Sequence, residues 1–591
     1  MTAMHDAKAQ IWVVKELLKY KLYLVLSTIG STVDIVLFSL PPLIVAEVIR
    51  ILFGDQDFQL ILVWLLFFLV LAVVQSSNFF IGSYFNEVLA HRVTTDITAE
   101  LFQRLQNRSL SYLDQYDVGQ IMARATNDTR QLNIGLSPAY RFVVMAGVQL
   151  LVVGAMLVHF EPRILIVVGA LLPAYLFFLY KYIRKIYPLQ DQLLKDFEKI
   201  SVTANETFTG IQELKSYVGE RRFFNRFRDT SQAHAQTLYR RGKVEGFFYP
   251  LLVFWFGVAV TAVVGVGWVL DGSLTISDFA GALGAFLMFR FLADGLSWAA
   301  TESVAAVAAS NRLYRMMFDE EEVAGEIGTT PFDREHTTIE FDHVWFRYTS
   351  DSTWSLRDVS FTVKPQQTVV LVGPPGSGKS TVNKLLQRLY LPTKGQVRVG
   401  DLEVARYDNS YLQNVVTIEQ TPFLFSDTVA DNLRFGKPDA TDDELQEVLA
   451  MAQAQKFVSE LPQQLETQIG DRGIKLSGGQ KQRLAIARGL LLNPSILIMD
   501  DASSALDAET EMMIQQSVEE VLESRTSVVT SHRLAMIAKA DLVLVFDQGE
   551  LVGQGTHEQL IRTSPHYRRL FEYHYKLPPL EKHVGVAEGG S

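Results

Sequence analysis

Over its first 318 residues the chain alternates between long apolar runs and polar, charged connections. Six runs stand out, at about 22–53, 58–85, 138–160, 164–187, 247–270 and 276–300. Each holds the roughly 20 mostly apolar residues that carry a helix across a bilayer's hydrocarbon core. Buried helices of a large soluble domain are the competing explanation, and they fail on density, because residues 60–74 contain no polar side chain. The pattern predicts six membrane-spanning helices. Connection lengths alternate as well. Short links fall at 54–57, 161–163 and 271–273, whereas two long links, about 86–137 and 188–246, are rich in Arg and Lys. Lys8, Lys15, Lys19 and Lys21 precede the first run. Basic residues accumulate on the cytoplasmic side of a membrane. The N-terminus, both long links and everything after the sixth run are therefore expected in the cytoplasm, with the spans in the cell's inner (plasma) membrane.

Beyond residue 318 the pattern changes. Residues 319–338 are acidic and contain Gly and Thr, which reads as a linker. From Ile339, short β-branched strands at 368–372, 415–418, 495–499 and 527–530 alternate with helical segments. That alternation predicts an α/β domain over 339–576 behind a membrane domain over 1–318. Residues 577–591, with Pro578-Pro579 and a terminal Gly-Gly-Ser, read as a disordered tail. Composition agrees with two unlike halves: 48% of the 591 residues are hydrophobic, yet 20% are charged, and the mean hydropathy is +0.13. The absence of cysteine excludes disulfides, thiolate zinc sites and cysteine nucleophiles. A net charge of −11 argues against a nucleic-acid partner, which would call for a basic face. Residues 1–21 lack a small-residue cleavage site, so the first run is expected to stay as an anchor.

The α/β half carries a nine-residue stretch with specific chemistry: Gly373-Pro374-Pro375-Gly376-Ser377-Gly378-Lys379-Ser380-Thr381. It follows an expected strand and opens an amphipathic helix, the context a phosphate-binding P-loop requires. Glycines let successive N–H groups turn inward toward phosphate oxygens, and the helix N-terminus adds its dipole. Lys379 is placed to reach the β- and γ-phosphates of ATP, and the Ser380 hydroxyl to hold Mg²⁺. A plain glycine-rich turn before a helix is the bland alternative, and further segments argue against it. Tyr348 lies some 25 residues ahead of the loop. Gln420 closes an apolar run at 415–420, and Leu476-Ser477-Gly478-Gly479-Gln480 precedes a helix. The strand 495–499 ends in Asp500-Asp501, followed by Ser504-Ala505-Leu506-Asp507, and His532 sits in Thr530-Ser531-His532-Arg533.

In this order, the set resembles the nucleotide-binding domain of ATP-binding cassette transporters, fused behind six spans as in an exporter half-transporter. The resemblance covers residues 10–575. It implies a membrane helical bundle joined to a P-loop NTPase, with ATP and Mg²⁺ as cofactors. Gly373, Gly376, Ser377, Gly378, Lys379, Ser380 and Thr381 would hold the phosphates, and the Tyr348 ring would stack on adenine. Ser380, Gln420 and Asp500 would surround the metal. Asp501, His532 and Gln420 would form the hydrolytic set. Ser477, Gly478, Gly479 and Gln480 would face ATP on a second cassette, and Asp507 joins the nucleotide-binding residues. The resemblance thus makes a dimer obligatory. Tyr112-Leu113-Asp114 through residue 128 is similar to the first intracellular coupling helix and its exit, and residues 206–220 to the end of the second intracellular loop.

One departure from the family pattern has a large consequence. The residue after the Walker B aspartate is normally Glu, the general base; here it is Asp501. Losing one methylene withdraws the carboxylate by about 1.5 Å, and a misplacement of about 1 Å can cost about 100-fold in rate. Either the backbone adjusts and Asp501 is a tolerated variant, or the site is slow and the chain pairs with a different half-transporter carrying Glu. Pro375 and Glu419 depart less seriously, because residues 376–381 all keep their N–H groups. In the membrane half, Asp34, Arg290 and Asp294 fall within expected spans. Such groups face a bundle interior or a water-filled cavity. Arg290 and Asp294 form an internal ion pair, or Asp34 or Asp294 lines a pathway for a cationic substrate. Phe38, Phe286, Phe289, Phe291 and Trp298 would supply apolar walls. The expected function is ATP-driven export of amphipathic compounds, lipids or peptides. An importer built on the exporter fold is the alternative, and an ATP-gated channel a third reading.

Overall fold

The structure is a computed structural model that describes residues 2–54, 56–247, 249–318, 328–349, 352–470, 476–500, 525–531 and 533–569. It divides into two units: residues up to Gln106 with Asp117–Asp319, and Asn107–Tyr116 with residues from Glu320 onward. The expected membrane domain, 1–318, therefore gives up one segment of its first long link to the nucleotide half.

The first unit is helical: α1 (Thr2–Lys19), α2 (Lys21–Ser39), α3 (Pro41–Phe53) and α4 (Phe58–Gln106) lead into it. The span expected at 22–53 is built in two pieces because Pro41 and Pro42 occupy the first positions of α3. Proline has no N–H to donate and its ring clashes with the preceding turn, so a helix restarts there rather than running through. After α5 (Leu110–Leu113) the chain continues through α6 (Val118–Ala123), α7 (Thr129–Ile134) and α8 (Tyr140–Phe160). These are joined by wide π turns at Arg124–Asp128 and Gly135–Ala139, the second enclosing Pro138. Then follow α9 (Ile164–Thr209), α10 (Ile211–Ser216), α11 (Glu220–Gly246), α12 (Tyr249–Leu270) and α13 (Ile276–Phe318).

Among the described residues, five stretches are long and apolar enough to cross a bilayer: Lys21–Phe53, Phe58–Gln106, Val118–Phe160, Ile164–Thr209 and Glu220–Leu270. The sixth expected span, 276–300, forms the first part of the 43-residue α13. On α4, Leu62, Leu66, Leu69 and Val73 are 60–69% exposed. A water-soluble domain would bury such a face, so these side chains meet lipid.

The interior of this bundle is stitched by polar groups. Asp34, 1% exposed, accepts from the Arg141 guanidinium at 2.7 Å and from Gln75 Nε2 at 3.0 Å. Arg141 also donates to Ser83 Oγ. One turn away, Asn86 accepts from Ser27 Oγ at 2.9 Å and donates to the Ser137 carbonyl at 2.6 Å. Between these bonds α2 and α4 touch backbone to backbone, since a Cβ on Gly30 would lie 2.8 Å from Gly82 Cα. The expectation that Asp34 lines a pathway is thus corrected: its charge is enclosed and neutralised by Arg141 on α8. The Asp294 side chain lies outside what the structure describes.

The second unit contains two sheets. A four-stranded antiparallel sheet has the order β2-β1-β4-β5, from β1 (Ile339–Phe346), β2 (Leu356–Val363), β4 (Lys394–Val399) and β5 (Leu402–Glu403). A six-stranded sheet has the order β10-β9-β3-β8-β7-β6. Its strands are β3 (Thr368–Val372), β6 (Val415–Ile418), β7 (Ile496–Asp500), β8 (Thr526–Thr530), β9 (Leu542–Asp547) and β10 (Glu550–Gly555). The five strands from β9 to β6 pair in parallel and β10 is an antiparallel edge. Val369–Val372 of β3 are all buried, as a central strand covered on both faces requires. The expected linker is shorter than 319–338 at this end. Thr330 bridges to Tyr407, and Phe332 is buried against the Tyr407 and Tyr411 rings.

The buried ion pair yields a test. Replacing one partner leaves an uncompensated charge, at a cost of about 3–5 kcal/mol, whereas removing both leaves none. Asp34→Leu and Arg141→Leu should each lower the apparent unfolding midpoint of the detergent-purified protein, and the double variant should recover most of the loss. Additive losses in the double variant would count against the pair.

Candidate functional site

The nucleotide unit builds its site at the C-terminal edge of the parallel strands. β3 ends at Val372, the P-loop follows, and α14 (Lys379–Leu386) begins at its last turn. Two glycines there meet steric demands no other residue would. Gly378 has φ 106°, and a Cβ on it would lie 2.7 Å from Leu356 Cδ2 and 2.9 Å from the Ser355 carbonyl oxygen. Gly373 passes so close to β9 that a Cβ would lie 2.2 Å from the Phe546 carbonyl oxygen. Lys379 is buried, and its ammonium donates to the Gly373 and Pro374 carbonyls at 2.8 and 2.9 Å. The single positive charge of the loop is thus held at its centre.

Around the loop lies a pocket of about 480 Å³, lined by Tyr348, Trp354, Arg357, residues 376–381, Gln548 and Gly549 among others. That volume falls in the range of about 300–1,000 Å³ typical of small-molecule sites. Tyr348 and Thr381 share a hydrogen bond of 3.2 Å between their hydroxyls. The Tyr348 ring meets Phe346 and Tyr390 edge-on, and the Lys384 ammonium lies 5.2 Å from its centroid. Trp354 and Arg357 had no signal in the sequence, since neither lies in a motif.

Topology places the other expected residues on the same edge. Asp500 ends β7, between β6 and β8, and exposed Gln420 follows β6 by two residues. Asn383 of α14 donates to Thr530 Oγ1 at the end of β8 at 3.1 Å, tying the P-loop helix to the strand that precedes His532. Among the described residues there is no cluster of three or more His, Cys, Asp or Glu suited to a metal. The hydroxyl, carboxylate and amide oxygens of Ser380, Asp500 and Gln420 are the hard donors Mg²⁺ takes, and this ion completes its shell with water and phosphate rather than a protein cage. Asp501, Asp507 and His532 lie outside the described residues.

Ser477 caps the helix Gly478–Leu491 through a reciprocal capping box. Gln480 N–H donates to Ser477 Oγ at 3.3 Å, and Ser477 N–H to Gln480 Oε1 at 2.9 Å. This leaves Gly478 and Gly479 as side-chain-free N–H donors at a helix N-terminus, an anion-favouring arrangement. Ser477–Gln480 are not among the pocket's lining residues. Behind them, buried Gln482 donates to the Glu419 carbonyl at 3.2 Å, joining this helix to the Gln420 segment.

The segment taken from the first long link also belongs to this unit. Ser109 caps α5, Leu110 packs against the core around β1, and Tyr390 O–H donates to the Asp114 carboxylate. Burial, and then this hydrogen bond, push the Tyr390 phenol well above the usual tyrosine range, so it stays protonated and donating. In the membrane unit, a separate cleft of about 680 Å³ is lined by Phe38, Phe142, Met288, Arg290, Phe291 and Trp298. Its walls are aromatic and aliphatic, with one guanidinium.

Residues 24–292 match the ABC transporter transmembrane region and residues 356–504 the ABC transporter domain. An ATP-dependent lipid A-core flippase of Pseudomonas fluorescens (strain Pf0-1) is 31% identical over 87% of this chain and 86% of its own length. The uncharacterized ABC transporter ATP-binding protein YknU of Bacillus subtilis (strain 168) is 29% identical over 86% of this chain and 88% of its own. In fold, the chain is similar to a bacterial Atm1-family ABC exporter with ATP bound, with a TM-score of 0.79 at 24% identity over 97% of this chain and 99% of that one. A helical membrane half and a P-loop nucleotide half, matched in this order and along most of their relatives' length, make this chain a multi-pass member of the ATP-binding cassette transporter family, an ATP-hydrolysing translocase.

Proposed function

We propose that the chain is one half of an exporter that moves amphipathic molecules, lipids foremost, out of the cytoplasm. The observation that carries this reading is the cleft of the membrane unit, whose aromatic and aliphatic walls suit a molecule with a large apolar body. The flippase relatives, which act on lipid A-core, support the same class. Energy comes from Mg-ATP. Residues 376–381 and Lys379 hold the phosphates, Tyr348 stacks on adenine, and Ser380, Asp500 and Gln420 hold the ion, which neutralises phosphate charge when bound. Ser477–Gln480, with the helix N-terminus behind them, face ATP on a second cassette.

The second cassette belongs to a different chain. Asp501 in place of Glu makes this chain's own site slow, while its intact capping-box segment completes the partner's site. Turnover then resides mainly in the partner, whose residue after the Walker B aspartate is Glu.

Three outcomes are expected. Inside-out vesicles holding the assembled transporter should accumulate a fluorescent phospholipid analogue in an ATP-dependent way, and Lys379→Ala should remove at least about nine-tenths of it. Uptake confined to right-side-out vesicles would point instead to import. Asp501→Asn should lower ATPase activity less than about threefold, whereas Glu→Gln at the partner's position should abolish it. A loss beyond about 100-fold from Asp501→Asn, or about 2.7 kcal/mol of barrier, would make Asp501 a working base. Purified alone, the chain should hydrolyse ATP poorly; a stable homodimer with full activity would overturn the two-chain reading.

A further inference from the structure

Four side chains form a continuous path from the nucleotide pocket to the segment Asn107–Tyr116. Thr381, in the first turn of α14, meets the Tyr348 hydroxyl at 3.2 Å. The Tyr348 ring stands edge-on to Tyr390, with centroids 5.2 Å apart and planes at 87°. Phe346 packs against both rings, at 4.9 and 5.6 Å, and the Lys384 ammonium lies near both, at 5.2 and 5.7 Å. Tyr390, only 6% exposed and not part of the pocket lining, donates its hydroxyl to the Asp114 carboxylate just past α5. Packed interiors do not deform smoothly, so a ring enclosed on three sides moves with its neighbours or not at all.

We propose that Tyr390 is a positioning residue that transmits occupancy of the nucleotide pocket to the segment Asn107–Tyr116, through its ring on the Tyr348 side and its hydroxyl on the Asp114 side. This rests on the reading of Tyr348 as the adenine-facing residue and of this segment as the first coupling helix. Adenine entering against Tyr348 fixes that ring, the edge-on contact fixes Tyr390, and the phenol holds the α5 turn by its carboxylate. The two ends of Tyr390 are separable by chemistry. Phenylalanine keeps the ring contact and loses only the hydroxyl. Asparagine at 114 keeps an acceptor oxygen, and alanine does not.

The absence of native cysteine gives a direct readout. In the assembled transporter, Gln115→Cys in this chain provides one maleimide-reactive position on the segment, followed by the mass of this chain. Its labelling rate should change at least about threefold on addition of Mg-ATP. Tyr390→Phe and Asp114→Ala should each abolish the change, and the two together should do no more than either alone. Asp114→Asn should retain it. ATP KM should stay within about twofold in all of them, which a general loss of packing would not allow. Retention of the ATP-dependent change in Tyr390→Phe, or its absence in the parent, overturns the proposal. Tyr348→Ala separates the underlying reading: it should raise ATP KM at least about tenfold. An unchanged KM there refutes the adenine assignment, whereas a raised KM with an intact response in Tyr390→Phe refutes the relay alone.

Discussion

A backbone amide or a charged side chain in hydrocarbon finds no water to bond, and each must be satisfied within the protein. That constraint shapes the whole membrane unit. It forces the apolar runs into unbroken helices, confines the break at Leu40 to a place where two prolines could not have continued a helix, and leaves Asp34 no stable state except against Arg141 and Gln75. It does not set the 49- and 46-residue lengths of α4 and α9, which continue past the hydrocarbon. At 1.5 Å per residue these helices run about 70 Å, more than twice the hydrocarbon thickness. Their ends therefore emerge far from the bilayer, and the residues that follow α4 are free to join another fold.

The nucleotide unit depends on a different geometry. Parallel strands β3, β8, β7 and β6 all point their C-terminal ends one way, so residues more than a hundred positions apart in sequence arrive at one edge. The P-loop, Asp500 and Gln420 are gathered by this topology alone. The capping box at Ser477 starts its helix with a hydroxyl and a side-chain amide, and it leaves the first two helical positions to glycines whose N–H groups carry no side chain beside them.

What was legible in the sequence was local. The P-loop, the stretch Leu476–Gln480 and the carboxylates that follow the apolar run 495–499 are each short stretches whose character lies in adjacent residues, and the four expected strands lie within a residue of the observed ones. The apolar runs were legible because twenty residues of one character need no partner to be recognised. Contacts between distant positions were not. Asp34 was visible as a charge in a span, but its counter-ion lies 107 positions away; the signal that could have found it was a lone arginine in the third run. Tyr390 follows α14 with no periodicity to mark it, and Phe332 reads as part of a linker because its partners, Tyr407 and Tyr411, lie more than seventy residues on. Pro41-Pro42 lies inside the first apolar run, whose uniform character gives no sign of the helix restart there.

The contact between Gly30 and Gly82 limits where the bilayer can communicate with the bundle interior. Two backbones in van der Waals contact, flanked by Ser27–Asn86 on one side and Asp34–Gln75 on the other, leave no lateral gap between α2 and α4. An amphiphile sliding in from a leaflet would have to part that seam and strand several polar groups in lipid at once. Along this stretch α2 and α4 are sealed to one another by backbone contact and buried hydrogen bonds.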